Sequence, residues 1–183
     1  MGGFDEVLAA AREGEGWALT QLYRAVYPRF VRYASAVAPG DAHDVAADAW
    51  LDIARSLDRF RGDEAAFRAW AFTIARRRLL DLQRSRARRR TDPVDPGDLA
   101  GAGGRGDAEE DALAALGTGW AIGIIASSLS RDQAEVVLLR VIGDLGVDDV
   151  AAIMGKRPGT IRVLQHRAVR RLAQVLRRED VTR

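Results

Sequence analysis

The stretch VDDVAAIMGKRPGTIRVLQHRAVRRL, residues 147–172, decides how the chain is read. Val147 to Met154 has the spacing of a short apolar-faced helix, and Gly155 ends it. Pro158 suits the first position of a following helix, where its missing N–H has no partner to lose. That second helix is expected to run to about Arg177. Ile161, Leu164, Ala168 and Leu172 recur at steps of three and four, as one core-facing stripe requires. Eight basic residues and no acid lie between Lys156 and Arg178. A short helix, a tight glycine turn and a basic second helix make a helix-turn-helix.

Upstream of it, Asp132 to Ile142 reads as a helix whose core residues are Val136, Val137, Leu138 and Leu139. Trp120 to Ser128 reads as another. The stretch 91–118 is different in kind. It has a net charge of −6, whereas residues 1–90 and 119–183 each carry +4. It is rich in Gly, Pro and Asp and offers too little apolar surface to offset the entropy of ordering. It is read as a flexible acidic linker. The expected fold is therefore all-α, with two small helical domains, 1–90 and 119–183, the second a helix-turn-helix.

The first block is helical by periodicity, over 5–12, 16–37, 41–57 and 64–88. Pro28 is expected to bend or break the second of these, and Asp41 to cap the third. A break is expected around Gly62. Val45, Ala49, Ile53 and Leu57 form an apolar stripe, and Asp44, Asp48 and Asp52 an acidic one. The fourth helix ends in an arginine run, with eight Arg between Arg76 and Arg90 against Asp81 alone. Basic blocks this dense suit a polyanionic partner. Of 28 basic residues 27 are Arg, which in part reflects a GC-rich coding bias.

Several classes are excluded. The 183 residues hold no cysteine, so there is no disulfide framework, thiolate metal site or cysteine nucleophile. His43 and His166 have no metal-ligand spacing around them. No phosphate-binding loop or hydrolase pattern occurs, so no enzyme, metal or cofactor is expected. No apolar run approaches the ~18 residues of a membrane span. The acidic N-terminus does not resemble a secretion signal, so a cytoplasmic protein without membrane insertion is expected.

Two longer segments carry a resemblance. DAHDVAADAWLDIARSLDRFRGDEAAFRAWAFTIARRRLLDLQR, residues 41–84, resembles the conserved helical domain of bacterial sigma factors of the extracytoplasmic-function type. LSRDQAEVVLLRVIGDLGVDDVAAIMGKRPGTIRVLQHRAVRRL, residues 129–172, resembles their C-terminal helix-turn-helix domain. The resemblance implies a dissociable subunit that binds core RNA polymerase, recognises the −10 and −35 promoter elements and opens DNA. It implies core polymerase and promoter DNA as partners and admits an anti-sigma factor. It places polymerase contact at Asp44, Asp48, Leu51, Asp52 and Arg55. It places the −10 element at Arg61, Asp63, Arg68, Trp70, Arg76 and Arg77. It places the −35 element at Lys156, Arg157, Thr160, Arg162, Val163, His166, Arg167, Arg170 and Arg171.

The chain departs from the family pattern in three places. Ala47-Asp48 stands where a Gln-acid pair is usual, Arg77 stands where Asn is usual, and Val163-Leu164 replaces Ser-Arg. Neither Val163 nor Leu164 can donate a hydrogen bond to a base edge, so base preference does not carry over.

Some features have plainer readings. The Asp44/Asp48/Asp52 stripe, taken alone, is an ordinary solvated face. The arginine run also suits a helix C-terminus electrostatically. Trp50 and Trp70 sit at core-like spacing, with partial exposure of one as the other reading. The acidic linker is either a spacer or a nucleic-acid mimic. A dimeric helix-turn-helix regulator is the rival function and a nucleic-acid-dependent enzyme fragment a distant third. The first block lacks a ligand-sensing or dimerisation pattern. It has instead LDRFRG followed by an aromatic-basic helix, which suits capture of unpaired bases.

Overall fold

The computed structural model describes residues 3–89, 119 and 121–181. The linker expectation for 91–118, Trp120 and Arg183 lie outside the described residues. Among the described residues every regular element is a helix. The first block has α1 (Phe4–Arg12), α2 (Gly16–Ser35), α3 (Ala42–Ser56) and α4 (Glu64–Arg89). The second has a helical turn pair over 121–128, termed α5, then α6 (Arg131–Val141), α7 (Val147–Met154) and α8 (Pro158–Val181).

The first core includes the apolar stripe of α3, with Val45, Ala49, Ile53 and Leu57 all buried. Leu22, Val26, Phe30 and Tyr33 of α2 are buried against Val45, Ala49 and Ile53 of α3 and against Phe67, Ala71, Phe72, Ala75 and Leu79 of α4. Small residues at 46, 49, 71 and 75 let the helices approach closely. The short α1 covers one end. Its Arg12 Nε donates to the Leu57 carbonyl at 3.3 Å, and the same guanidinium reaches the Phe60 carbonyl.

Two local expectations are corrected. Pro28 does not break its helix: α2 runs unbroken from Gly16 to Ser35. Pro28 is exposed, as is Arg24, the residue whose carbonyl a proline deprives of its intrahelical donor, while Val26 and Phe30 hold the buried face. Asp41 precedes α3 but makes no capping bond. Its carboxylate instead meets the Arg86 guanidinium near the end of α4. Residues Pro39–Asp41 form a single 3-10 turn.

The break at Gly62 is a backbone requirement. Its φ is +147°, and a Cβ there would lie 2.8 Å from the Ala66 Cβ and 3.2 Å from the Phe60 ring. Gly62→Ala is expected to cost about 1–3 kcal/mol. Urea unfolding followed by circular dichroism measures it, and a neutral result would show that the loop re-forms at no cost.

In the second block Ser130 opens α6 with a capping box. The Gln133 N–H donates to Ser130 Oγ at 3.4 Å, and the Ser130 N–H to Gln133 Oε1 at 3.2 Å. Val136, Leu138 and Leu139 are buried with Val150, Met154 and Ile161. Gly155 adopts the left-handed conformation (φ +63°), and the Lys156 N–H returns to the Ala151 carbonyl at 2.9 Å, closing α7. This turn aims α8. Ile161 and Ala168 are fully buried and Leu164 and Leu172 half-buried, as the stripe required.

The two blocks touch. α4 packs on α7, and the apolar residues of both join one continuous cluster.

Candidate nucleic-acid interface

With Ile161 and Ala168 turned inward, α8 presents the opposite face to solvent. Thr160, Arg162, Val163, His166, Arg167, Arg170 and Arg171 are all exposed, as is Arg157 just before the helix. Val163 is 49% exposed, whereas Leu164 packs against the core. Of the two apolar departures in this helix, only Val163 therefore changes the outward surface. Arg167, Arg170 and Arg171 line a shallow cleft of about 340 Å³ with Ser128, Gln133 and Gln174. Three guanidiniums around one open cleft suit phosphate oxygens. Lys156 stands apart: its Nζ is 2.9 Å from Asp132 Oδ2.

On α3, Asp44, Asp48, Leu51 and Arg55 are exposed, and Leu51 is 47% so. The acidic stripe is not uniform, because Asp52 is held by Arg78, whose Nε lies 2.6 Å from Oδ2. That hydrogen bond, working against partial burial, lifts the Arg78 guanidinium above its ordinary pKa. Asp44, Asp48 and Arg78 share a cleft of about 290 Å³ with Asp41 and Asp81. Beside it on α2 and α3 lies an aromatic group. Tyr23 stacks on Tyr27 at 4.5 Å and meets Trp50 edge-on at 5.3 Å. His43 is exposed near Tyr27.

The −10 candidates divide into exposed and partly buried groups. Arg77 is 84% exposed, with its Nε 4.0 Å from Asp81 Oδ2. Arg61 is exposed, its guanidinium donating to the Phe60 carbonyl at 2.7 Å. Asp63 serves as the cap of α4, accepting the Ala66 N–H at 2.8 Å. Trp70 is half-buried and stacks on Phe60 at 5.0 Å. Arg68 is 2.8 Å from Glu64 and 3.9 Å from Asp144 in the second block.

Arg76 lies between the blocks rather than on an open face. Its Nε donates to Glu135 Oε1 at 2.6 Å and its Nη2 to Oε2 at 3.4 Å. Its Nη1 reaches the Ile153 carbonyl at 3.1 Å. Tyr33 donates its hydroxyl to the same Glu135 Oε1 at 3.2 Å. Burial alone lowers the Arg76 pKa, but the bonds to Glu135 and its charge outweigh burial and hold it above the ordinary value. Burial, helped by Glu135, likewise pushes the Tyr33 phenol upward, so it stays a donor. Glu135 escaped the sequence reading. Its signal was faint: one acid inside the apolar run of α6. Among the described residues no group of three or more His, Asp or Glu could hold a metal, and no helix is long and apolar enough to cross a membrane.

A helical block followed by a helix-turn-helix with an exposed, cationic second helix has the make-up of a DNA-binding protein. Residues 22–89 match sigma-70 region 2, and residues 125–172 match sigma-70 region 4. The chain is 32% identical over 177 residues to the ECF RNA polymerase sigma factor ShbA of Streptomyces griseus, covering 88% of this chain and 89% of that protein. Its fold is similar to that of CnrH, solved in complex with the cytosolic domain of CnrY (TM-score 0.60, 22% identity, 93% of this chain and 94% of that one). It is also similar to the sigma factor RpoE of Bartonella quintana, solved with the anti-sigma factor NepR (TM-score 0.59, 25% identity, 86% and 96%). The chain belongs to the ECF RNA polymerase sigma factors, which are DNA-binding factors of transcription initiation.

Proposed function

We propose that this chain binds core RNA polymerase through the exposed face of α3, reads the −35 element with α8 and holds the opened −10 strand with the Arg61–Arg77 region. The observation that carries the reading is the coincidence of both sigma regions with two separate exposed surfaces, one acidic-apolar and one cationic. Asp44, Asp48, Leu51 and Arg55 form the polymerase-facing set, with Asp52 shaping it through Arg78. Arg61, Trp70 and Arg77 are the open members of the −10 set. Their aromatic and guanidinium groups fit unpaired bases, which stack on such planes. On α8, Arg162 and His166 are the base-facing pair and Arg157, Arg167, Arg170 and Arg171 the phosphate contacts. Val163 offers only apolar contact, which in the major groove means a thymine methyl. The site of action is the cytoplasm, where polymerase works, and an anti-sigma factor is a further partner of this chain.

Promoter-directed run-off transcription with purified core polymerase tests the proposal. The wild-type chain should direct initiation from a selected promoter. Asp48→Arg should weaken binding to core at least about tenfold, a loss of about 1.4 kcal/mol, while helicity by circular dichroism is kept. Absence of promoter-directed transcripts would overturn the reading. Unchanged affinity of Asp48→Arg would move the docking surface off α3.

A further inference from the structure

The bend between α3 and α4 gathers positive charge that no carboxylate answers. A 3-10 turn over Leu57–Arg59 leads into Phe60, which is buried and has an extended backbone. Two guanidiniums from different parts of the chain converge on that backbone. Arg12, in the last turn of α1, donates from Nε to the Leu57 carbonyl at 3.3 Å and from Nη2 to the Phe60 carbonyl. Arg61 donates from Nη1 to the same Phe60 carbonyl at 2.7 Å and to the Asp58 carbonyl. Donors that share one oxygen stand within about 6 Å of each other. Both arginines are exposed, and among the described residues neither enters an ion pair. Their acceptors are neutral carbonyls, and most of the N–H donors of each fork are left for another partner.

Aromatic packing holds this bend firm. The Phe60 ring stacks on Trp70 at 5.0 Å and meets Phe67 edge-on at 5.5 Å, and Phe4 of α1 lies 5.6 Å from Phe67. α1 and α4 therefore grip the bend together. Phe60 is flanked by two cations at its carbonyl and by the half-buried Trp70 at its ring.

We propose that Arg12 and Arg61 form a two-pronged clamp for one phosphate of the opened −10 strand, with Trp70 as the adjoining base platform. This rests on the reading of Arg61 and Trp70 as −10-strand contacts. It adds Arg12, which lies on α1, ahead of every residue assigned to that strand. A guanidinium fork takes phosphate oxygens through paired N–H bonds. Two like charges this close repel, and an anion set between them is attracted by both and offsets that repulsion. Capture of a single strand needs this combination, cationic groups along the backbone beside aromatic faces that take the bases. The carbonyl bonds hold both forks in place before the strand arrives, so less side-chain freedom is lost on binding.

The test uses the chain assembled with core polymerase and a fluorescent single-stranded oligonucleotide carrying the −10 element of a selected promoter. In a series of such oligonucleotides, one phosphate at a time is replaced by a neutral methylphosphonate. For the wild type, one position should weaken binding about fivefold at 0.1 M salt and flatten the salt slope by about 0.7, the share of one phosphate in a single strand. In Arg12→Gln that penalty should shrink to about twofold, and in the double variant with Arg61→Gln it should vanish. Arg24→Gln, which removes an exposed charge from α2, should keep it in full. Arg12→Lys retains the charge but cannot reach both carbonyls as the fork does, so it too should keep the penalty. Circular dichroism checks that each variant is folded. A penalty that is the same in Arg12→Gln as in the wild type at every position overturns the clamp and leaves Arg12 a staple of the bend. So does a penalty lost equally in Arg12→Lys and Arg12→Gln, because the staple and not the charge would then matter. Failure of the wild-type assembly to bind any of the oligonucleotides would overturn the −10 reading itself, and the clamp with it.

Discussion

Phe72→Ala is expected to remove about 3–5 kcal/mol from the stability of the first block. Phe72 is completely buried in α4. It meets Phe30 edge-on at 5.2 Å and Tyr33 at 5.8 Å, so three rings from two helices share one nest. Truncation removes apolar transfer energy, two aromatic contacts and the filling of a rigid site whose walls are helix backbones. Against a typical domain stability of about 5–15 kcal/mol, the loss takes a large share. Urea unfolding of the full chain, followed by circular dichroism, should show an earlier midpoint. Leu51→Ala on the exposed face of α3 should stay within about 0.5 kcal/mol of wild type. A loss below about 1 kcal/mol for Phe72→Ala would mean that the nest collapses around the gap.

Most of the fold was legible because it is periodic. Val45, Ala49, Ile53 and Leu57 repeat every four residues, and a stripe of that kind has only one way to be buried in a helix; all four are buried. The helix-turn-helix was legible from Gly155 and Pro158, since each has a backbone reason to stand where it does. What failed was local chemistry overruled by context. Pro28 reads as a breaker, yet its penalty falls on an exposed carbonyl, and the packing of Val26 and Phe30 on either side prevails. Asp41 reads as a cap, yet Arg86 offers its carboxylate a full charge instead of an amide dipole. The Ser130-x-x-Gln133 capping box was open to reading and was missed. The arrangement of the site was less legible than its location. Arg76 belongs to a dense arginine run, and nothing in the run distinguishes it from exposed Arg77. Its difference comes from Glu135, which lies 59 residues away. Such pairing is a tertiary fact, invisible to any window of neighbouring residues.

Arg162→Ala should reorder promoter preference, whereas Arg171→Ala should lower affinity for all promoters alike. The distinction follows from position along one helix. Arg162 is exposed in the second turn of α8, on the stripe that continues through His166 to Arg170. The first turns of a recognition helix are those that enter the major groove. Arg171 lies nine residues further on, about 13 Å along the axis at 1.5 Å per residue. That exceeds the ~12 Å groove width, so it emerges beside the backbone. It also shares the cleft with Arg167 and Arg170, an arrangement matched to phosphate rather than to a base edge. A guanidinium that binds guanine through two bonds discriminates by about 1–3 kcal/mol, or roughly 5- to 150-fold between sites. A phosphate contact discriminates against nothing and contributes about one unit to the salt slope. Binding of both variants to a randomised promoter library at two salt concentrations separates the cases. For Arg171→Ala, the ranking of sites should match wild type and the salt slope should flatten. For Arg162→Ala, the ranking should change at one position and the slope should hold. Should Arg162→Ala keep the ranking and only weaken every site, Arg162 is a phosphate clamp. Base readout would then pass to His166, which is exposed one turn along the same stripe, and to the apolar surface of Val163.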